Sequence, residues 1–158
     1  MIGVDIDRLL CEHREEHYLP RPFYIDEGIF EAEFEHIISR QLQYVDHIAS
    51  IPRKGDYVVF RIAGEEVIVV RGEGGTVHAH FNVCRHRGSR ICLEAKGHVK
   101  RLTCPYHAWS YGLDGSLSNA RAMGDGFDQT QFGLKGCNVL VFEGLIFVNL
   151  CQDEEQAA

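Results

Sequence analysis

The sequence lacks an excess of positive charge, since 16 Lys and Arg stand against 23 Asp and Glu and give a formal net charge of −7. A nucleic-acid-binding face needs clustered Lys and Arg, so nucleic acid is not an expected partner. The chain also has no run approaching the ~18 apolar residues of a membrane span. Residues 1–20 carry five acidic side chains and no apolar segment, unlike a signal peptide. We therefore expect no membrane association and a cytoplasmic location.

Cysteine is too sparse for a secreted disulfide scaffold, with only six in 158 residues. In a reducing compartment, paired Cys and His more often bind metal. None of the nine His follows His107. Any His-dependent site must therefore lie in the first two-thirds of the chain.

The apolar pattern changes from helical to strand-like along the chain. Asp26 is a typical helix N-cap, and Phe30, Phe34, Ile37 and Ile38 follow at helical spacing as a predicted core-facing stripe. Beyond Pro52, runs rich in β-branched and aromatic residues predict strands. These strands are expected at 57–62, 67–70, 76–83, 99–103, 139–141 and 145–150, with a hairpin turn at Asp114-Gly115. The prediction is a mainly β fold with three segments, which are an N-terminal arm and helical segment (1–52), a β domain (53–151) and a polar tail (152–158).

Four histidines outside any motif receive simple interpretations. His13 and His17 would share one face of a helix beside Glu12, Glu15 and Glu16, where a solvated charged helix is favoured over a metal site. His78 and His80 lie on the strand face opposite the apolar residues. We expect them at the surface or at an interface.

Two short segments carry the chemistry. Cys84-Arg85-His86 and Cys104-Pro105-Tyr106-His107 form a C-x-H and a C-x-x-H pair separated by 17 residues. Each pair offers one thiolate and one imidazole from a loop. This donor set suits a [2Fe–2S] cluster in which two Cys bind one iron and two His bind the other. The alternative is a Cys₂His₂ zinc site, but paired zinc ligands usually have two to four residues between them, and Cys84 and His86 have one.

The sequence resembles the Rieske domain of Rieske-type non-heme iron oxygenases over about residues 20–150. The matching residues are 81–88 (FNVCRHRG), 104–111 (CPYHAWSY), Asp114-Gly115 and 145–149 (LIFVN). Within that family it looks most like the oxygenase components that act on quaternary amines such as glycine betaine. The stretch 82–90, Met123-Gly124, Phe127-Asp128, Tyr44-Val45 and Ile51-Pro52 carry that likeness. Ala108 departs from the family, which usually has Gly there.

The resemblance implies an antiparallel Rieske iron–sulfur fold, a β-sandwich with a cluster-binding subdomain of two loops, preceded by N-terminal helices. The implied ligands of one [2Fe–2S] cluster are Cys84, His86, Cys104 and His107. The residues expected around the cluster are Arg87, Gly88, Tyr106, Trp109 and Tyr111. Tyr111 would hydrogen-bond a ligand sulfur or be an ordinary core residue, Tyr106 and Trp109 would shield the cluster, and Arg87 would stabilise its loop or face an acidic partner. Both His ligands should keep their free nitrogens near the surface.

The resemblance also implies partners. A ferredoxin or a flavin/iron–sulfur reductase would supply electrons, and a catalytic domain with a mononuclear Fe(II) would use them for O2-dependent hydroxylation or N-demethylation. Since no His follows His107, we expect that catalytic domain to be absent from this chain, and a homotrimer is implied for the complete enzyme. Ser89 and Tyr106 stand where high-potential Rieske proteins have a disulfide, which predicts a reduction potential near −150 mV, at the low end of the range. A stand-alone Rieske ferredoxin and a zinc-stabilised binding module remain as alternatives.

Overall fold

The computed structural model describes residues 5–121, 123–124 and 126–151, so the predicted tail at 152–158 lies outside the described residues. The chain divides into two compact units, residues 1–41 and 42–158. The described residues of the first unit form the α-helices α1 (Ile6–Glu12), α2 (Pro22–Ile25) and α3 (Glu27–His36), followed by a 3-10 turn at Ile38–Arg40. Within the described part of the chain, no helix has both the length and the apolar character that crossing a bilayer requires.

The N-terminal helices confirm one prediction and correct two. The Asp26 carboxylate caps α3 by accepting a hydrogen bond from the Ile29 N–H at 3.1 Å. The core-facing stripe is wrong, because Phe30 is 47 % and Ile37 50 % exposed, and α3 ends at His36, before the last two members of the pattern. His13 and His17 share no helical face, because α1 ends at Glu12 and the chain turns.

The second unit is built around a seven-stranded antiparallel sheet in the order β1-β10-β9-β4-β3-β2-β5. Its strands are β1 (Gln43–His47), β2 (Asp56–Ile62), β3 (Glu65–Arg71), β4 (Val77–Phe81), β5 (Lys96–His98), β9 (Gly136–Phe142) and β10 (Leu145–Asn149). The prediction of a mainly antiparallel β fold preceded by helices is confirmed. Sequence analysis missed β1, which lies inside the segment assigned to the N-terminal arm and pairs with β10. Its mixed polar sequence shows no strand periodicity, and pairing with apolar β10 makes it a strand.

A small three-stranded sheet lies between β5 and β9 in the sequence. It consists of β6 (Leu102–Thr103), β7 (Ser110–Tyr111) and β8 (Leu117–Asn119). β6 is shorter than the predicted strand at 99–103. The predicted turn at Asp114-Gly115 is present, since Gly115 has φ 84° and the Asp114 carboxylate accepts a hydrogen bond from the Ser116 N–H at 3.1 Å.

His80 corrects the prediction of a surface position. Its side chain is 5 % exposed, and its Nε2 lies 3.0 Å from the Leu113 carbonyl oxygen. The turn between β7 and β8 covers this face of β4 so closely that a Cβ at Gly115 would lie 2.6 Å from the His80 ring. The turn between β7 and β8 therefore covers the face of β4 that carries His80, although the sequence pattern predicts that face to be exposed.

Acidification is expected to destabilise the fold through His80. Burial lowers the pKa of His80 below its ordinary value of 6.5, so the unfolded chain binds a proton at a higher pH than the folded chain. The stabilising contribution of neutral His80 is complete above that ordinary value and is lost as the pH falls through the lower pKa of the folded state. His80→Gln keeps a donor for the Leu113 carbonyl but does not titrate. Urea unfolding at about pH 7.5 and about pH 5.5 measures how far the free energy of unfolding falls on acidification. We expect a smaller fall in the variant than in the native chain, and an equal fall would contradict this role of His80.

Candidate metal centre

Two loops that each begin with a cysteine have nearly the same backbone geometry. In loop 1 (residues 83–91), the Cys84 N–H donates to the Ser89 carbonyl at 2.8 Å and the Gly88 N–H donates to the Cys84 carbonyl at 2.9 Å. In loop 2 (residues 104–109), the Cys104 N–H donates to the Trp109 carbonyl at 2.8 Å and the Ala108 N–H donates to the Cys104 carbonyl at 3.0 Å. Each loop therefore presents a Cys at its start and a His two or three residues later.

This shared geometry explains why glycine suits position 88 in loop 1. It also shows which backbone conformation Ala108 adopts where related proteins usually have glycine. The two residues occupy equivalent positions, four after the cysteine, and have φ values of 69° and 58°. Glycine adopts this left-handed conformation freely, whereas a Cβ there costs roughly 1 kcal/mol or more. The hydrogen bonds that close loop 2 hold Ala108 in this conformation.

The two loops bury their thiols and expose their imidazoles. Cys84 and Cys104 are each 2 % exposed, whereas His86 is half-buried and His107 is exposed. The two imidazole rings lie 4.8 Å apart between centroids. The structure thus brings the predicted donors together as a sulfur pair inside and a nitrogen pair outside, with the imidazoles toward solvent as expected.

This separation fits two metal ions better than one. Among residues 5–121, 123–124 and 126–151, no three His, Cys, Asp or Glu side chains form a group that could hold a single metal ion. A zinc site would need four donors around one point. A pair of thiolates and a pair of imidazoles instead match a dinuclear cluster with mixed ligands.

The protonation chemistry of the donors suits metal binding. Burial raises the pKa of the Cys84 thiol, so a bound cation is needed to hold it as a thiolate in this environment. Burial, followed by the charges of His107 and Arg87, lowers the pKa of His86. A neutral imidazole is the form that coordinates a metal.

Tyr111 places a hydroxyl against a donor sulfur. It is fully buried, and its Oη lies 3.2 Å from Cys84 Sγ and accepts a hydrogen bond from the Arg85 N–H at 3.1 Å. Burial also raises the pKa of Tyr111 far above its ordinary value, so the hydroxyl keeps its proton. With its lone pair engaged by Arg85, the hydroxyl can donate that proton to a thiolate.

Tyr111→Phe is expected to lower the reduction potential of the chain with a dinuclear cluster bound, called the loaded chain, by roughly 60 mV. A hydrogen bond to a charged acceptor contributes on the order of 1.4 kcal/mol, which is ~59 mV for one electron, and it favours the more negative reduced state. Tyr57→Phe is the matched control, because it removes a second buried tyrosine hydroxyl that bonds a cysteine, Cys92. Redox titration of both variants measures the effect, and a potential that shifts equally in the two would contradict it.

Aromatic rings cover the imidazoles to different degrees. Trp109 is 1 % exposed and stacks on His86 with ring centroids 4.8 Å apart. Within the described residues its Nε1 is buried without a hydrogen-bond partner, which fits a site that receives a group carrying acceptor atoms. The ring centroids of Tyr106 and His107 lie 3.8 Å apart, but Tyr106 is 60 % exposed. It covers one ring without closing the site from water.

Sequence analysis missed the residue that closes the base of loop 1. Asn82 is fully buried, and its Oδ1 accepts hydrogen bonds from the N–H groups of Ile91 and Cys92 at 3.0 and 2.9 Å. Its Nδ2 donates to the Cys92 carbonyl at 2.8 Å and to Glu66 Oε2 at 2.9 Å. The only signal in the sequence was an amide that continues the polar face of His78 and His80 just past the end of β4.

The arginines near loop 1 differ in their contacts. The Glu66 carboxylate pairs with Arg61 at 2.9 Å and with Arg90 at 3.4 Å. Arg87 is exposed and, in the part of the chain that the structure describes, makes no ion pair. It acts on the site through its charge, which contributes to the lowered pKa of His86.

Comparison with known proteins agrees with this geometry. The model of the "Rieske [2Fe-2S] domain" family matches residues 41–138. The chain is 46% identical over 143 residues to the glycine betaine monooxygenase oxygenase subunit of Chromohalobacter salexigens, covering 90% of this chain and 32% of the relative.

Solved structures give the same result. A quaternary ammonium Rieske monooxygenase in complex with L-carnitine has a TM-score of 0.78 and 33% identity, over 85% of this chain and 39% of that one. Naphthalene 1,2-dioxygenase from Rhodococcus sp. has a TM-score of 0.80 and is 32% identical. The match covers 92% of this chain and 34% of the dioxygenase chain. The chain thus spans about a third of the length of these relatives.

Proposed function

Because the chain belongs to the Rieske [2Fe–2S] domain family, we propose that it transfers single electrons within an oxygenase. Cys84 and Cys104 would hold one iron of the cluster, and His86 and His107 would hold the other. The observation that carries this assignment is the pairing of buried thiols with exposed imidazoles on two matched loops. When bound, the cluster supplies reversible one-electron chemistry.

The surrounding residues have separate roles in this proposal. Both cysteines are buried, whereas the exposed His107 offers a short route to an acceptor. Tyr111 donates a hydrogen bond to Cys84, and Trp109 fixes the orientation of the His86 ring. Gly88 allows the tight turn of loop 1, and Arg87 adds positive charge beside His86.

The proposed reaction partners follow from the relatives. The electron would come from a ferredoxin or a flavin/iron–sulfur reductase and pass to a mononuclear Fe(II), for O2-dependent hydroxylation or N-demethylation. The names of the relatives support a quaternary amine such as glycine betaine as substrate. The described residues hold no group of three metal donors, so that iron would be bound elsewhere. We also propose a homotrimer for the complete enzyme and a cytoplasmic location, the latter supported by six free cysteines.

A chimera tests this function directly. This chain would replace the matching segment of the Chromohalobacter salexigens oxygenase subunit, about a third of that protein, to which it is 46% identical. With a reductase, the chimera is expected to couple O2 consumption to glycine betaine, whereas a chimera carrying Cys84→Ser is not. Cys92→Ser is the control, because it changes another buried cysteine outside the proposed ligand set.

Two outcomes would contradict the proposal. One is a chimera that loads the cluster and accepts an electron but never supports betaine turnover, which would favour a stand-alone ferredoxin. The other is betaine-dependent O2 consumption by the present chain alone, which would place catalysis within it.

A further inference from the structure

A cavity opens beside the first cysteine of the site. Its volume is about 460 Å³, and we call it the Cys84 groove. Its lining residues are Glu65, Phe81, Val83, Cys84, Arg85, Gly88 and Lys135. Neither His86 nor His107 lines it, so the groove approaches the site from its sulfur side.

The groove is lined by both apolar and positively charged side chains. Val83 is 44 % exposed and lies beside the half-buried Phe81. Arg85 and Lys135 supply two cations against the single carboxylate of Glu65, and all three are exposed. Across the described residues, neither Arg85 nor Lys135 forms an ion pair. The local charge is therefore opposite in sign to the net charge of the whole chain, −7.

A second depression provides a natural comparison. It measures about 410 Å³ and lies near the start of β4, whereas the Cys84 groove lies past the end of that strand. Its cations, Lys54 and Lys100, are matched by the carboxylates of Glu73 and Asp114, and Lys54 forms an ion pair with Glu73. This depression has no net positive charge and no cysteine.

We propose that the Cys84 groove is the docking surface for an acidic face of the protein that donates electrons to this chain, an inference that rests on the function proposed above. Apolar contact at the centre with charge at the rim is the usual composition of a specific interface. Charge complementarity mainly speeds the encounter. On docking, the donor would lose one electron and be oxidised, and the cluster that Cys84, Cys104, His86 and His107 would hold would gain it, with one iron passing from Fe(III) to Fe(II). The imidazole side stays free for the acceptor.

The test uses small redox reagents of opposite charge as probes of the local field. The reduced, cluster-loaded chain is mixed in a stopped-flow instrument with anionic tris(oxalato)cobaltate(III) or cationic hexaammineruthenium(III), each of which removes one electron. The rate constant with the anionic reagent is expected to fall as ionic strength rises from about 10 mM to about 200 mM, and that with the cationic reagent is not. If the net charge of −7 acted alone, it would repel the anionic reagent, and the rate constant for that reagent would rise with ionic strength.

Matched variants place the effect in the groove. Arg85→Gln with Lys135→Gln is expected to reduce the low-salt rate constant for the anionic reagent roughly tenfold. Lys54→Gln with Lys100→Gln removes the same charge from the second depression and should leave that rate constant close to its original value. The Arg85 substitution spares the hydrogen bond to Tyr111, which comes from the backbone N–H.

Binding is measured independently of electron transfer. Fluorescence anisotropy with a labelled hexaglutamate peptide should show salt-sensitive binding that the Arg85/Lys135 variant loses and the Lys54/Lys100 variant keeps. Equal losses in the two variants, or a rate constant for the anionic reagent that rises with salt, would overturn the docking surface. Iron and sulfide are determined first, because a chain without a cluster contradicts the proposed function, whereas a loaded chain that fails these tests contradicts only the groove.

Discussion

Cys84→Ala is expected to abolish cluster binding altogether. The variant leaves one thiol for an iron that needs two, and the Tyr111 hydroxyl beside Cys84 keeps its proton because burial raises its pKa. The iron content and the visible absorption of the purified chain measure the result. Cys104→Ala should behave in the same way, since Cys104 has the equivalent position in loop 2.

Cys92→Ala is the control for this prediction. Cys92 is buried like the proposed ligands, at 6 % exposed, and burial raises the pKa of its thiol as it does that of Cys84. It lies outside the Cys84/His86 and Cys104/His107 pairs, so we do not expect it to bind iron. We expect the control to bind the full amount of iron. A loaded Cys84→Ala variant, or an empty Cys92→Ala variant, would contradict the assigned ligand set.

Asn82→Ala is expected to lower the free energy of unfolding by about 3–5 kcal/mol. The substitution leaves the N–H groups of Ile91 and Cys92 without their acceptor and the Cys92 carbonyl without its donor, at a position with no solvent exposure. Loop 1 then loses the contacts that close its base, so cluster retention should fall as well. Urea unfolding and the rate of iron release to a chelator measure the two effects.

Asn138→Ala is the comparison for Asn82. Asn138 is exposed on β9, and among the described residues its amide donates only to the Cys151 carbonyl at 3.4 Å. Its removal should change the free energy of unfolding by less than about 0.5 kcal/mol, as is usual for surface substitutions. If the two variants lost similar stability, the role of Asn82 as the closure of loop 1 would be wrong.

The sequence contained enough to predict most strands and the two loops that bring Cys84, His86, Cys104 and His107 together. The pairs Cys84/His86 and Cys104/His107 are local in sequence, and a spacing pattern reports local geometry well. The strands β2, β3 and β10 are rich in β-branched residues, which favour extended backbone wherever they pack. These features required no knowledge of contacts between distant segments.

Most of the failures depended on distant contacts. The turn at Gly115 buries His80 from 35 positions away in the sequence, and β1 becomes a strand only through pairing with β10. The Asn82 side chain hydrogen-bonds to Glu66, Ile91 and Cys92, and no periodicity in the sequence relates these positions to Asn82. Apolar spacing at Phe30 and Ile37 likewise predicted a buried face without indicating whether anything would cover it.

The most direct test of the central claim is the measurement of iron and acid-labile sulfide per chain, together with an EPR spectrum after reduction. The account predicts two irons, two sulfides and a Rieske-type signal, because two thiolates and two imidazoles bind a dinuclear cluster. One zinc per chain with no sulfide and no EPR signal would contradict it. That result would make the chain a structural metal domain instead of an electron carrier.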